Sequence, residues 1–290
     1  MYKLLPYKKI AQQLNARTYT EYFNRFNLIA RALFRWNNLP NNMDERWVER
    51  FLFWEGAAVF YKDPVFGYMV AKVASAGKYN YYNDPVKVKP ILPNMPYQGA
   101  QLVNGDNCVI IRNNDDMIPT APTMQFYALK IANIERTIDV NIIQQKTPII
   151  VRTSDKQRLS FENALNQRNE NEIVIVVDKE MDIGENVKVF NTQAPIVFDK
   201  LELQKHMVYN ECMTFLGINN ANMDKRERVQ SAEVAANDNQ IAANEDVFLK
   251  ARQRAAEEIN LMFGTNITVE RRNAPALASM ETGSGEGASV

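Results

Sequence analysis

Between positions 123 and 145 the apolar residues Met124, Tyr127, Ile131, Ile134, Ile138 and Ile142 recur three or four residues apart. That spacing predicts an amphipathic helix, not a strand. Pro119 and Pro122 stand before it, Thr120 or Thr123 is available as its cap, and Thr147-Pro148 closes it. Such a helix runs roughly 35 Å at 1.5 Å per residue. Its other face carries Gln125, Lys130, Asn133, Thr137, Asn141 and Gln144, polar but lightly charged. Either an ordinary surface helix or a packed wall beside water fits that pattern. A second apolar stripe, Leu201, Val208, Cys212 and Phe215, predicts a helix over 199–217, with Gly217 as a left-handed cap.

Upstream, Phe23, Phe26, Ala30 and Leu33 predict a helix from about Thr20 to Leu39-Pro40, preceded by a mobile arm. Asp44 can cap a further helix presenting Trp47, Val48, Phe51 and Leu52. Pro and Gly punctuate 63–122, where VKVK (86–89) and CVIIR (108–112) read as short strands. PIIVR (148–152), EIVIVVD (172–178) and VKVF (187–190) predict three more strands, with a short helix near 159–166. Residues 219–247 hold no aromatic and are rich in Asn, Ala and Gln, so they read as a loop or frayed helix. Positions 248–263 return to helix, 266–270 to a strand, and 273–290 to a Gly/Ser/Ala/Glu tail expected to be disordered.

Charge narrows the class. Across 290 residues, 34 basic side chains balance 34 acidic ones, which argues against a protein that coats nucleic acid over its whole surface. Residues 1–35 are locally basic, seven cations against Glu21, so contact with nucleic acid or an acidic partner is open there. Residues 147–199 carry six basic and nine acidic side chains, no general nucleic-acid surface. Cys108 and Cys212 lack CxxC spacing and read as free thiols in a reducing compartment. No apolar run approaches the roughly 18 residues of a membrane span, and the start lacks a signal peptide's apolar region. A soluble intracellular protein is expected.

Catalytic chemistry is hard to find. His206 is the sole histidine, and it reads as a surface or packing residue. The Gly77-Lys78 pair is no phosphate loop, because position 72 is lysine where the first glycine would stand. Asn113-Asn114-Asp115-Asp116 reads as a polar turn in preference to a divalent-ion site. No cofactor or metal is expected.

Seven segments then resemble one family in order: RWNNLP (35–40), FYKDPVFGYM (60–69), IRNNDDMIPTAPT (111–123), QQKTPIIVR (144–152), QAPIVFDKL (193–201), ECMTFLGINNANMDKRERV (211–229) and VFLKAR (247–252). They are similar to the portal, also called upper collar or head–tail connector, of small short-tailed phages of the Picovirinae type. The resemblance implies a mainly α fold with α+β modules: long stalk helices carry an inserted α/β clip and a β-containing wing, assembled as a ring with a central tunnel. It implies a basic arm over 1–19, an outer stalk helix over 20–40, a wing over 41–122, and stalk helices over 123–146 and 199–217. Between those stalk helices lies the clip, 147–198. A channel loop over 218–247, a wing or crown segment over 248–272 and a disordered tail over 273–290 complete it.

The implied function is a dodecameric ring at one capsid vertex, through which double-stranded DNA is packaged and ejected. Lys200, Lys225, Arg226 and Arg228 are the implied DNA-channel contacts. Asn191 stands where the family has a further lysine. Implied partners are other copies of the chain, capsid and scaffold proteins, a packaging ATPase with or without a packaging RNA, and the lower collar or tail; no membrane is implied, and the implied location is the virion. Sparse cations make electrostatic sense, because a strongly basic bore would hold sliding DNA through counterion release. Two alternatives stay open: another collar or tail adaptor ring of the same virion, and an enzyme of the packaging machine.

Overall fold

The computed structural model describes residues 7–92, 97–145, 149–151, 187–189, 195–219 and 231–272. The chain divides into two units, Met1–Ala132 with His206–Val290, and Asn133–Lys205.

The first unit is built on an antiparallel five-stranded sheet ordered β5-β4-β3-β2-β6. Its strands are β2 (Ala57–Asp63), β3 (Gly67–Tyr79), β4 (Pro85–Ile91), β5 (Leu102–Val103) and β6 (Cys108–Arg112). Five successive residues of β2, Ala57 to Tyr61, are buried, because the sheet is covered on both faces. Ala58 and Phe60 join one cluster with Val109, Ile111, Phe248 and Ile259. Val59 and Tyr61 join the other, with Ala71, Val88, Leu102 and Ile110. Helix α2 (Glu45–Glu55) packs on the first cluster. Asp44 caps it as expected, accepting a hydrogen bond from the Arg46 peptide N–H at 2.9 Å. It stops at Gly56, whose φ of 78° lies in the left-handed region. A Cβ there would stand 1.9 Å from the Met117 carbonyl oxygen, so the position admits only glycine.

The amino-terminal prediction is corrected at both ends. Helix α1 runs Tyr7–Arg31, so the expected arm is already helical from Tyr7. The expected continuation to Pro40 is instead strand β1 (Phe34–Asn37), paired antiparallel with β9 (Thr268–Arg271), Trp36 opposite Val269. Phe34 and Trp36 are buried and Arg35 between them is exposed, an alternation that a strand satisfies and a helix does not.

Two long helices begin in one unit and end in the other. Helix α3 (Ala121–Gln145) starts two residues earlier than predicted, with Pro122 in its first turn, where a missing N–H costs nothing. Helix α4 (Phe198–Phe215) ends in a Schellman motif. There the Ile218 N–H donates to the Met213 carbonyl at 2.9 Å and the Gly217 N–H to that of Thr214 at 3.0 Å.

Residues 231–247, read as a loop or frayed helix, are helical and form the start of helix α5 (Ser231–Phe263). The segment is polar but holds Ala232, Ala235, Ala236, Ala242 and Ala243, and alanine is the strongest helix former. Ile241, 6% exposed, anchors it to the first unit.

In the second unit, β7 (Ile149–Val151) and β8 (Val187–Val189) pair antiparallel, Ile149 opposite Val189. The strand expected at 172–178, the helix near 159–166 and the tail at 273–290 lie outside the described residues. Among the described residues, no helix is long and apolar enough to cross a membrane.

Candidate nucleic-acid interface

The first unit holds its elements in register through one buried polar hub. The Arg252 guanidinium on α5 donates to both oxygens of Glu49 on α2, at 2.9 and 2.8 Å. Its remaining N–H groups reach the carbonyls of Asn113 and Phe248 and the Asn113 side-chain oxygen, at 3.0 to 3.1 Å. The Trp36 indole N–H donates to Glu49 at 2.9 Å, and Arg252 lies 4.3 Å over the Phe34 ring. Both charged side chains are 3% exposed. All five guanidinium donors are satisfied, which is what allows a charge pair so deep.

Asn113 carries the hub onward, donating to the Ile118 carbonyl and to the Thr120 hydroxyl just before α3. The Asn113–Asp116 segment is thus the polar turn expected. Asn114 closes it on Ile118, and Asp115 pairs with Arg254 at 3.0 Å. Among the described residues, no group of three His, Cys, Asp or Glu could hold a metal.

Sequence reasoning missed Glu49 and Arg252. Arg252 did leave a signal: Phe248, Arg252, Ala255 and Ile259 share one helical stripe, and a cation in that register needs a buried partner.

Within the first unit, the start of α3 packs against the end of α4. Met124, Tyr127, Ala128 and Ile131 are buried there, with Val208 and Cys212 opposite. The Met124 and Cys212 sulfurs lie 3.9 Å apart, and Lys130 reaches Glu211 at 3.6 Å. Burial pushes the Cys212 thiol, the Tyr127 phenol and, in the sheet, the Cys108 thiol up to about 12. A thiol kept protonated is neither nucleophile nor ready metal ligand.

The last carbonyls of α4 are met from elsewhere in the unit. Asn244 donates to Thr214 at 2.9 Å, and Arg271 donates to Leu216 and Gly217 at 3.1 and 2.8 Å. Burial lowers the Arg271 pKa, while Glu245 at 3.7 Å opposes that.

Within the second unit, Lys205 on α4 bridges Glu135 on α3 at 3.2 Å and Glu202 at 2.6 Å. Burial pulls its ammonium down, but the hydrogen bonds to Glu202 and Glu135 outweigh that and raise its pKa.

The stripe predicted for α3 fades here: Ile134 and Ile138 are half-buried and Ile142 is 49% exposed. Asn141, assigned to the polar outer face, is instead 6% exposed. Its amide donates to the Pro195 carbonyl at 2.9 Å and accepts from the Val197 N–H at 3.3 Å, so it satisfies the backbone entering α4.

Of the four expected channel cations, Lys200 lies exposed in the first turn of α4. Lys225, Arg226 and Arg228 lie outside the described residues, so the structure brings none of the four together. The outward faces of α3 and α4 are less polar than expected. Phe126, Leu129 and Val140 on α3, and Leu203 and Met207 on α4, are each about half exposed, between 48% and 57%.

The thiols are buried and held protonated, the buried polar groups keep the elements in register, and apolar side chains of α3 and α4 stand exposed. A family profile described as Phage Connector (GP10) matches residues 1–274, and the chain belongs to that family. It is a phage portal, the head–tail connector of a virion, and the proteins of this family are structural.

The fold is similar to a chain in the portal and tail of native bacteriophage P68, at 14% identity over 96% of this chain and 94% of that one, with a TM-score of 0.54. It is also similar to an HK97-family phage portal protein from Corynebacterium diphtheriae, at 9% identity over 88% and 91% of the two chains, with a TM-score of 0.44. A chain of a native gene transfer agent virion matches at 9% identity over 90% and 83%, with a TM-score of 0.43. The P68 likeness carries the fold, a mixed α and β portal architecture. The family match does not favour the alternative of a separate collar or tail adaptor.

Proposed function

We propose that copies of this chain close into a dodecameric ring at one capsid vertex, with double-stranded DNA moving along its axis during packaging and ejection. The observation that carries this is the family match across residues 1–274. In this reading α3 and α4 are stalk helices beside the tunnel, 147–198 is the clip, and 41–122 with 248–272 is the wing. The channel loop of this reading is 218–247, whose stretch over 231–247 is helical. Lys200, Lys225, Arg226 and Arg228 meet DNA phosphates.

The exposed apolar side chains of α3 and α4 support assembly, since one chain leaves them in water and a neighbouring copy would cover them. Further partners are capsid and scaffold proteins, a packaging ATPase with or without a packaging RNA, and the lower collar or tail.

The double change Lys225→Ala with Arg226→Ala tests the channel assignment. Rings should form with an unchanged unfolding midpoint, because exposed charges contribute little to folding. Packaging should slow, or packaged genome should leak. Intact rings with normal packaging and retention would remove these residues from the DNA path.

A further inference from the structure

The β3–β4 hairpin carries charge that nothing in the fold requires. Strand β2 pairs with β3 only as far as Lys72, and beyond it the hairpin is flanked on its β4 side by the two-residue β5, which pairs with Lys87 and Val88. On that hairpin Lys78 stands directly opposite Lys87, and Lys89, two residues on, shares their face. Like charges in cross-strand register roughly 5 Å apart destabilise a sheet. The one acid of the hairpin, Asp84, is held by Arg112 at 2.8 Å and does not relieve them. No ion pair to any of the three lysines is present among the described residues.

The tip is equally unusual. Tyr81 and Tyr82 are 96% and 82% exposed on a turn that is fully built. The Asn80 side-chain oxygen accepts from the Tyr82 and Asp84 N–H groups at 2.9 Å, and Asn83 takes a left-handed φ of 65°. Two exposed phenols therefore stand at the tip of a hairpin whose strands carry three lysines without an ion pair among the described residues.

We infer that this hairpin is a second nucleic-acid contact of the portal, separate from its tunnel, which grips the phosphate backbone of double-stranded DNA. Lysines two residues apart on one strand face are spaced by roughly 6.8 Å, the axial rise of two phosphates at about 3.4 Å each. Tyrosine hydroxyls are among the groups that donate to phosphate oxygens. Duplex DNA is chosen over an acidic protein segment on the phosphate-like spacing of the lysines, and the exposed tyrosines would serve either partner, so the test below separates the two.

Covalently closed circular duplex is the probe, since a closed circle cannot thread a ring and its binding excludes the tunnel. The test compares assembled wild-type protein with the triple variant Lys78→Gln, Lys87→Gln, Lys89→Gln. Removing facing like charges should leave the unfolding midpoint unchanged or raise it, so the variant folds. Affinity for the circle should fall at least roughly tenfold at low salt, and the slope of log affinity against log salt should shrink by about 0.9 for each phosphate no longer neutralised. Tyr81→Ala with Tyr82→Ala should weaken binding less and leave the slope nearly unchanged.

Unaltered affinity and slope in the triple variant would overturn the inference, whatever happens to binding of linear DNA. So would polyglutamate of matched charge binding wild type as tightly as the circle and losing affinity equally in the variant, which would make the hairpin a docking site for acidic protein.

Discussion

Arg252 and Lys78 belong to the same unit, and the fold treats their charges in opposite ways. Arg252 is 3% exposed and meets Glu49, Asn113 and Phe248 with every donor it has. Lys78 is exposed, faces Lys87 across the hairpin, and meets no carboxylate among the described residues. The first arrangement fixes which elements lie together; the second spends stability without a structural return. In a protein with 34 cations and 34 anions, the sum argues only against an all-over nucleic-acid coat, and the local pairing says more. Cations satisfied inside the chain belong to the fold, and cations left facing one another await something outside it.

The comparison breaks most visibly at Arg252. Arg252→Met strands a buried carboxylate and should cost about 3–5 kcal/mol, read as a collapse of the urea midpoint or as insoluble protein. Adding Glu49→Leu should recover part of that loss, because no lone charge remains buried. If Arg252→Met alone unfolds at the wild-type midpoint, the hub does not hold the unit together.

Ile131→Asp follows. Ile131 is fully buried on α3, and an unpaired carboxylate there costs several kcal/mol or takes up a proton. It should abolish ring assembly, whereas Asn133→Asp, two residues on and exposed, should assemble normally. Particle images of the two variants decide it.

Gly56→Ala is a smaller lesion. The positive φ alone costs about 1–3 kcal/mol, and the Met117 carbonyl and Pro119 nitrogen must give way as well. Thermal unfolding should show a clear fall in midpoint, while Gly77→Ala, equally left-handed but with nothing within 4 Å, should show only the backbone penalty.

What could be read from the sequence was local. The Asp44 cap, the glycine stop of α4, the apolar stripe of α3 through Ile131 and the short strands at 86–89 and 108–112 each depend on neighbours a few residues away. What escaped depends on distant chain. RWN was absorbed into a helix because its partner strand begins at Thr268, and only that pairing makes Phe34 and Trp36 a strand face. Asn141 looked like solvent-facing polarity because the backbone it satisfies, at Pro195 and Val197, lies more than fifty residues on. Over 231–247 the lack of aromatics left both loop and frayed helix open, and the alanine content favours the helix that forms. Of the four expected channel cations, Lys200 is exposed and the other three lie outside the described residues.

The smallest effect concerns the thiols. Burial holds Cys108 and Cys212 near 12, above the ordinary 9.0, so the folded state retains their protons longer than the unfolded state does. Stability from this source is fully present below about pH 9 and is lost as pH rises from there toward 12. A thiol reagent at pH 8 should leave native protein unmodified and label both cysteines after denaturation. Rapid labelling of the native protein would show that the α3–α4 packing around Cys212 is open.

The central claim, that this chain is a ring-forming portal, is tested most directly by class averages of the purified protein together with its sedimentation. Closed rings of uniform rotational symmetry around an open centre are expected at micromolar concentration and near-physiological salt. A stable monomer under those conditions, with its α3 and α4 side chains still in water, would contradict it.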